Sequence, residues 1–505
     1  MKFNFLTRQK NKTVNYEHST AFQLNPEYEL YSAVVTTSLS TSFYEKDSER
    51  LKRIKGLIQK CNPFFVAKLA IYARNEMHLR SVPLVLVVEL AKIYSGDSLI
   101  SKMIVQVIQR ADEITELLAY YQMANARTGT KRLNRLSKQL QKGVATSFNR
   151  FDEYQFAKYN RKGRVSLKDA LFLTHPKAKD EAQQLIFNKI ASDTLPTPYT
   201  WETELSQLGQ QRFRTEAERL RAVTQKWEEL IDSNKVGYMA LLRNLRNILE
   251  AKVSGAHIEK VCHYLANEKA VAASKQLPFR FLAAYREVKT IYSGHTSVVL
   301  EALEQAVKVS AANIKGFDSN TSVVIACDVS GSMQYPISSK SKVLLYDIGL
   351  MLGMLMQSRC KNVISGMFGD TWKSISMPKA GILSNIDIFY RREGEVGYST
   401  NGYLVIEDLI RRNEIVDKVM LFTDVQLWNS NATHHSFADS WNRYKKIAPS
   451  AKLYLFDLAG HGNTPLDIRR NDVHLIAGWS DKVFDILHAL ENQNNALEYI
   501  NQIKL

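Results

Sequence analysis

Apolar positions along the first ~310 residues recur mostly at helical spacing. Leu51, Ile54, Leu57, Ile58 and Cys61 mark one such face, and Leu241, Leu242, Leu245 and Ile248 another. Strand-like alternation is scarce there, and Pro and Gly are sparse. Many helices without a fixed period predict an irregular stack of helix pairs, although no clean repeat is visible. The pattern changes near Gly316. Short apolar runs (Ser322–Cys327, Asn362–Phe368, Lys418–Phe422, Lys452–Phe456, Val473–Ala477) now alternate with helical stretches such as Lys340–Ser358 and Asp481–Leu490. Near-continuous apolar strands between helices predict a parallel sheet covered on both faces, with ligands gathered at the strands' carboxyl ends. We therefore expect two domains: residues 1–315, all-α, and residues 316–505, α/β and Rossmann-like.

Charge sharpens this division. The net charge is +16. Residues 1–315 hold 48 Lys/Arg against 31 Asp/Glu, and residues 316–505 hold 19 against 20. The whole basic excess sits in the helical part, which points to a polyanionic partner, nucleic acid before an anionic membrane surface. A merely soluble basic protein is the bland alternative. The start, MKFNFLTRQKNK, lacks the apolar core of a secretory signal. The most apolar runs, Val82–Leu90 and Leu344–Met356, are too short to span a membrane, at ~18 residues or more. Cys61, Cys262, Cys327 and Cys360 form no CxxC pair, so a zinc knuckle is not expected and free thiols in a reducing cytoplasm are.

Candidate chemistry gathers in two places. After the SVVIAC strand comes Asp328-Val329-Ser330-Gly331-Ser332, or D-x-S-x-S, on a strand-to-helix loop. A polar Gly-bounded loop, Gly397–Gly402, carries Thr400, and Thr423-Asp424 ends the KVMLF strand. Hard oxygen donors of this kind suit a divalent cation such as Mg²⁺, although Asp and Ser also cap helices and make turns. The combination resembles the metal-ion-dependent adhesion site of von Willebrand A domains. That resemblance implies that Ser330, Ser332 and Thr400 bind the metal directly and that Asp328 and Asp424 bind it directly or through water. It implies ligand binding rather than hydrolysis. Asp370 reads as a loop residue.

The second place is the basic stretch 127–168. On a continuous helix Lys131, Arg135, Lys138 and Lys142 fall within ~60° of one face, opposite Leu133, Leu136, Leu140 and Val144. Such a ridge can neutralise phosphates; a solvated lysine face is the alternative. Lys158, Tyr159, Arg161, Lys162 and Arg164 surround a turn at Gly163, where cations reach phosphates and the tyrosine can stack on a base. Ser166 reads as an N-cap, and the helix it opens stops at Thr174-His175-Pro176.

AKYNRKGRVSLKDALFLTHPKAK resembles the K-Y…S-x-K-D-x-L-x-x-x-H-x-K region of Ro (TROVE-domain) proteins, and Met239–Leu245 resembles that family's A-L-L-R-N-L segment. The resemblance implies a HEAT-like helical ring closed by the von Willebrand A-like domain. It implies binding of Y-type noncoding RNAs on a basic outer surface and of single-stranded ends of misfolded RNAs, in RNA stability or quality control. It carries over Lys158 and His175 as RNA contacts and Lys162 as a basic position. Arg243 reads as a structural brace or an RNA contact. Arg74, His78 and Arg80 read as helix-end residues before surface cations. Animal members carry Trp and His around the S-x-K-D element, whereas this chain has Val165 and Leu167.

No P-loop, HExxH, G-x-S-x-G or dinucleotide fingerprint is present, so no enzyme is expected. The leading reading is a monomeric, cytoplasmic RNA-binding scaffold. The rival is a metal-dependent adaptor whose A-like domain takes an acidic protein ligand or an exoribonuclease. A third reading, a metal-dependent nuclease, requires RNA cleavage that depends on Asp328 and Asp424.

Overall fold

In the computed structural model the described residues are 12–37, 45–125, 136–160, 163–311, 320–337, 341–378, 380–428, 436–491 and 495–505. The chain divides into two compact units. One comprises Lys55–Val236 with Ile500–Leu505, the other Met1–Ile54 with Gly237–Tyr499.

Every secondary-structure element among the described residues of the first unit is a helix. Its buried faces carry the apolar positions read from the sequence. In the Ser81–Ile93 helix every residue from Val82 to Leu90 is buried, including Glu89, which takes a salt bridge from Lys92 at 2.9 Å. Ion pairs tie its helices together. Arg74 reaches the fully buried Glu113 at 2.7 Å, and Arg80 reaches Asp112 at 3.1 Å. Arg74 and Arg80 thus have structural partners. His78, at φ 56°, sits between the Pro63–Asn75 and Ser81–Ile93 helices.

The second unit joins helices from Tyr238–Glu250 through Thr296–Ala311 to strands, nine of them among the described residues. The strands are β1 (Lys12–Val14), β2 (Thr20–Gln23), β3 (Ser322–Asp328), β4 (Asn362–Phe368), β5 (Trp372–Ser374), β6 (Lys418–Thr423), β7 (Lys452–Asp457), β8 (Asn463–Thr464) and β9 (Val473–Ala477). The main sheet has the order β5-β4-β3-β6-β7-β9, parallel except for the short edge strand β5. Its central strands are almost wholly buried, as the continuous apolar runs require. Alternate side chains face opposite layers. Val324 and Ala326 join Val405, Ile406, Leu409, Phe437 and Trp441 in one core. Ile325 and Cys327 pack on Gly353 of the Leu345–Arg359 helix, where a Cβ would meet the Cys327 sulfur at 3.0 Å. Strand order reverses at β3: its successor β4 lies on one side and β6 on the other. That switch point opens a crevice at the carboxyl ends of β3 and β6.

Helix gives way to the strands of the main sheet between Ala311 and Ser322, and the compact units divide the chain at other places, 54/55, 236/237 and 499/500. Residues 12–54 pack with the α/β part. β1 and β2 form a hairpin, and β2 pairs antiparallel with β8. Tyr31 donates to the carbonyl of Ala477 at 3.1 Å, and Arg50 to that of Ala459 at 2.6 Å. No described helix is long and apolar enough to cross a membrane.

Candidate functional site

At the switch point, the D-x-S-x-S loop leaves β3 and turns at once. Asp328 Oδ1 accepts the Ser330 backbone N–H at 2.8 Å, and its Oδ2 accepts the Thr423 hydroxyl at 2.6 Å. Ser330 and Ser332 bring their Oγ atoms 3.3 Å apart. Asp424 follows Thr423, and its Oδ1 accepts the Gln426 backbone N–H at 3.0 Å. The next residue, Val425, has φ 64°, a left-handed conformation that β-branched residues rarely adopt. Strain of this kind concentrates at functional sites.

Thr400 arrives from the loop after Gly397. Asp370 Oδ1 accepts the Ser399 backbone N–H at 2.9 Å, and the Asn401 side chain donates to the Asp370 carbonyl at 3.1 Å. The Ser399 hydrogen bonds hold the Asp370 carboxyl below the usual carboxylate range. Asp370 therefore positions the Thr400 loop. Thr423 and Gln426 likewise hold the two buried aspartates in place.

Asp328, Ser330, Ser332, Thr400 and Asp424 are all buried, and the structure brings them to one crevice. Burial pushes both aspartates above the ordinary carboxylate range. The charge of Asp328 adds to the shift at Asp424, whereas hydrogen bonds from Ser330 and Thr423 oppose it at Asp328. The Thr400 hydroxyl and Asp424 Oδ2 are buried without a hydrogen-bond partner among the described residues. Two adjacent buried carboxylates and orphaned oxygens fit a hard divalent cation, which would supply the missing partners and the compensating charge. Among the described residues no three His, Cys, Asp or Glu side chains cluster to hold a metal, so hydroxyls would complete the donor set. An open pocket of about 350 Å³ adjoins the site, lined by Gly331, Ser332, Ser399, Thr400, Tyr398, Trp428 and Glu17.

The basic candidates lie in the helical unit. The helix there is Lys138–Phe148, opened by Ser137, whose hydroxyl accepts the Leu140 N–H at 3.2 Å. Leu136 and Ser137 precede it outside the helix, so Lys138 and Lys142 stand on a helix that begins at Lys138. Lys131, Arg135, Arg161 and Lys162 lie outside the described residues. Lys138 and Lys142 share an exposed face one turn apart, opposite the buried Leu140 and Val144. Gly143 allows this helix to pack closely on Leu99–Val107, where a Cβ would meet Ile104 at 2.8 Å.

The capping box expected at Ser166 is present: Ser166 accepts the Asp169 N–H at 3.0 Å, and Asp169 accepts that of Ser166 at 2.9 Å. The helix ends on His175 at φ 47°, and the ring is exposed. Asn149 ties the following segment to the 138–148 helix, accepting the Lys179 N–H at 3.0 Å and donating to the Lys177 carbonyl at 2.9 Å. Together these elements form a groove of about 370 Å³ lined by Lys138, Lys142, His175 and Lys177. Lys177 was not singled out in the sequence; Asn149 sets its place. Lys158 does not line the groove. Its ammonium lies 5.7 Å from the ring centres of both Tyr154 and Tyr159. Arg164 is exposed near the turn. In the other unit, Arg243 is exposed, and its charge, after burial, depresses the pKa of Arg280.

The chain matches the TROVE domain over residues 9–195 and 193–313. It is 24% identical over 339 residues to telomerase protein component 1 of Mus musculus, a stretch covering 50% of this chain and 12% of that protein. It is 44% identical over 91 residues to the Rattus norvegicus protein of the same name, 18% of this chain and 3% of that one. The chain thus spans only a small fraction of the length of these relatives. The crystal structure of the Deinococcus radiodurans RO (RSR) protein is similar in fold, with a TM-score of 0.58 at 17% identity, over 93% of this chain and 100% of that one. With the TROVE match extending over more than half of its length, the chain belongs to the TROVE-domain family.

Proposed function

We propose that this protein is an RNA-binding ribonucleoprotein scaffold. The observation that carries the reading is the groove at Lys138, Lys142, His175 and Lys177. Three ammonium groups on adjoining elements suit successive phosphates, and an exposed imidazole beside them can hydrogen-bond a base or a sugar. The unit that holds the groove carries 30 Lys/Arg against 19 Asp/Glu, which draws polyanions to it. We further propose, from the family resemblance, that the RNAs are small structured Y-like noncoding RNAs and the ends of misfolded RNAs. In this reading the protein is a cytoplasmic monomer that stabilises or sorts RNA without catalysis. Four buried free cysteines accord with a reducing compartment.

The test is a gel-shift titration of a structured small RNA with a single-stranded tail, across salt concentrations. Replacing Lys138, Lys142 and Lys177 together by Ala should lower the slope of log K against log salt by about 2, the loss of three phosphate contacts. An unchanged slope and affinity would sink the assignment of this groove.

A second reading is favoured by the crevice at β3 and β6. Ser330, Ser332, Thr400, Asp328 and Asp424 would hold a divalent cation, in our proposal Mg²⁺. Bound, it would supply positive charge to an acidic protein ligand, including one on an exoribonuclease. The exposed rings of Tyr398 and Trp428 flank the pocket and offer such a partner an apolar rim. The two readings are compatible. The adaptor requires a partner that is released by EDTA and by Asp328→Ala.

A further inference from the structure

The pocket beside the candidate cation site has one wall that the α/β sheet does not supply. Glu17 lines it, from the tip of the β1–β2 hairpin, more than 300 residues before Asp328 in sequence. This tip is held against the loop that follows Asp424. Asn15 is buried, and its side chain works in both directions: Oδ1 accepts the Ser19 N–H at 2.8 Å, closing the turn, and Nδ2 donates to the Leu427 carbonyl at 2.8 Å. The Tyr16 N–H donates to Gln426 Oε1 at 2.9 Å, and the Tyr16 ring meets His461 edge-on at 5.2 Å. Gln426 in turn donates its own N–H to Asp424 and its side-chain amide to Asn463 of β8. Loop 425–428 also touches the hydroxyl side of the site, where the Trp428 N–H donates to the Thr400 carbonyl at 3.0 Å. The hairpin tip, both aspartate-bearing strand ends and the Thr400 loop therefore form one hydrogen-bonded frame.

From this placement we infer that Glu17 is a built-in acidic ligand of the site, occupying the pocket where an external carboxylate or phosphate would otherwise meet the cation. The inference rests on the cation reading of Asp328, Ser330, Ser332, Thr400 and Asp424 given above. Glu17, Asp328 and Asp424 do not form a close-set trio among the described residues, so Glu17 would meet the cation from the pocket through a water ligand. It lines the pocket together with Ser332 and Thr400. The described residues that line the pocket are Glu17 and neutral groups. With a cation bound, a carboxylate on a tethered hairpin has the advantage of high effective concentration over an acidic group from outside. An incoming acidic partner must therefore displace Glu17, and the hairpin reports on the state of the site.

Manganese titration of the full chain tests this, with hydrogen exchange of residues 12–23 as a second readout. Bound Mn²⁺ should slow exchange in the hairpin of the wild type. Glu17→Gln, which preserves size and the backbone frame, should weaken Mn²⁺ binding by about tenfold, the scale on which ligand charge tunes such sites. It should also abolish the Mn²⁺-dependent protection. If Glu17→Gln binds Mn²⁺ as tightly as the wild type and the hairpin is protected equally, the inference is overturned while the cation site stands. If the wild type binds no Mn²⁺, or Asp328→Ala binds it unchanged, the cation reading itself is lost, and the role of Glu17 with it.

Discussion

Gly397 shows how single residues set the geometry of the crevice. Its φ is 72°, and a Cβ at that position would stand 2.1 Å from Asp370 Oδ2. The glycine lets the chain pass close to Asp370 so that Asp370 can hold the Ser399 N–H. Gly397→Ala should therefore cost about 1–3 kcal/mol in stability, the usual scale of an enforced left-handed residue, with the contact to Asp370 adding to it. Thermal unfolding measures this, and a melting temperature equal to that of the wild type would show that the loop has room the geometry denies. The D-x-S-x-S motif was legible in the sequence because its donors lie within five residues. Asp370 read as a loop residue because its partners lie 29 and 31 positions away. Thr423 stood in the sequence as a strand end; its bond to Asp328, 95 positions distant, is visible only once β3 and β6 are neighbours.

At the level of elements, each of the five short apolar runs read after Gly316 became a strand at the expected place, because burial on two faces leaves a continuous hydrophobic signature. The hairpin of β1 and β2 had no such signature. Its strands are three and four residues long, and β2 finds its partner β8 some 440 residues away. The start of the basic helix was not legible for a different reason: leucine spacing alone does not tell a helix from the segment before its cap, and Ser137 decides the boundary, while Lys131 and Arg135 lie outside the described residues. Among the helices of the first unit, Glu113 offers the sharpest test of packing. It is fully buried, accepts the backbone N–H groups of Gln109 and Arg110 at 2.7 and 3.1 Å, and takes Arg74 as its main ion-pair partner. Arg74→Met would strip that partner from a buried charge, a loss of about 3–5 kcal/mol in comparable cases. Arg80 remains 3.6 Å from the same carboxylate, so the lower end of that range is expected. Urea denaturation reads the difference, and a cost within the error of the method would mean that Arg80 alone satisfies Glu113.

For the molecule as a whole, the two candidate sites fall in different compact units and share no residue. All the groove residues belong to the unit of Lys55–Val236, and all the crevice residues, Glu17 included, to the other. The charge follows the same line: 30 cations against 19 carboxylates in the first unit, and 37 against 32 in the second. The sequence placed the basic excess in the N-terminal part but spread it over 315 residues, because nothing in local composition marks the return of residues 237–311 to the α/β unit. Binding at two sites is coupled only if each ligand has a different affinity for two states of the chain, and the coupling is then reciprocal. Nothing in the hydrogen-bonded frame around Asp328 requires a second state of the groove. RNA affinity of Asp328→Ala should therefore equal that of the wild type in one buffer of fixed salt and Mg²⁺, while the Lys138, Lys142 and Lys177 variant should bind Mn²⁺ like the wild type. Salt and Mg²⁺ must be fixed because phosphate contacts respond steeply to salt, and free Mg²⁺ competes for the same phosphates. A change beyond about fivefold in either direction, the lower end of typical allosteric coupling, would show that the cation site and the groove act as one device.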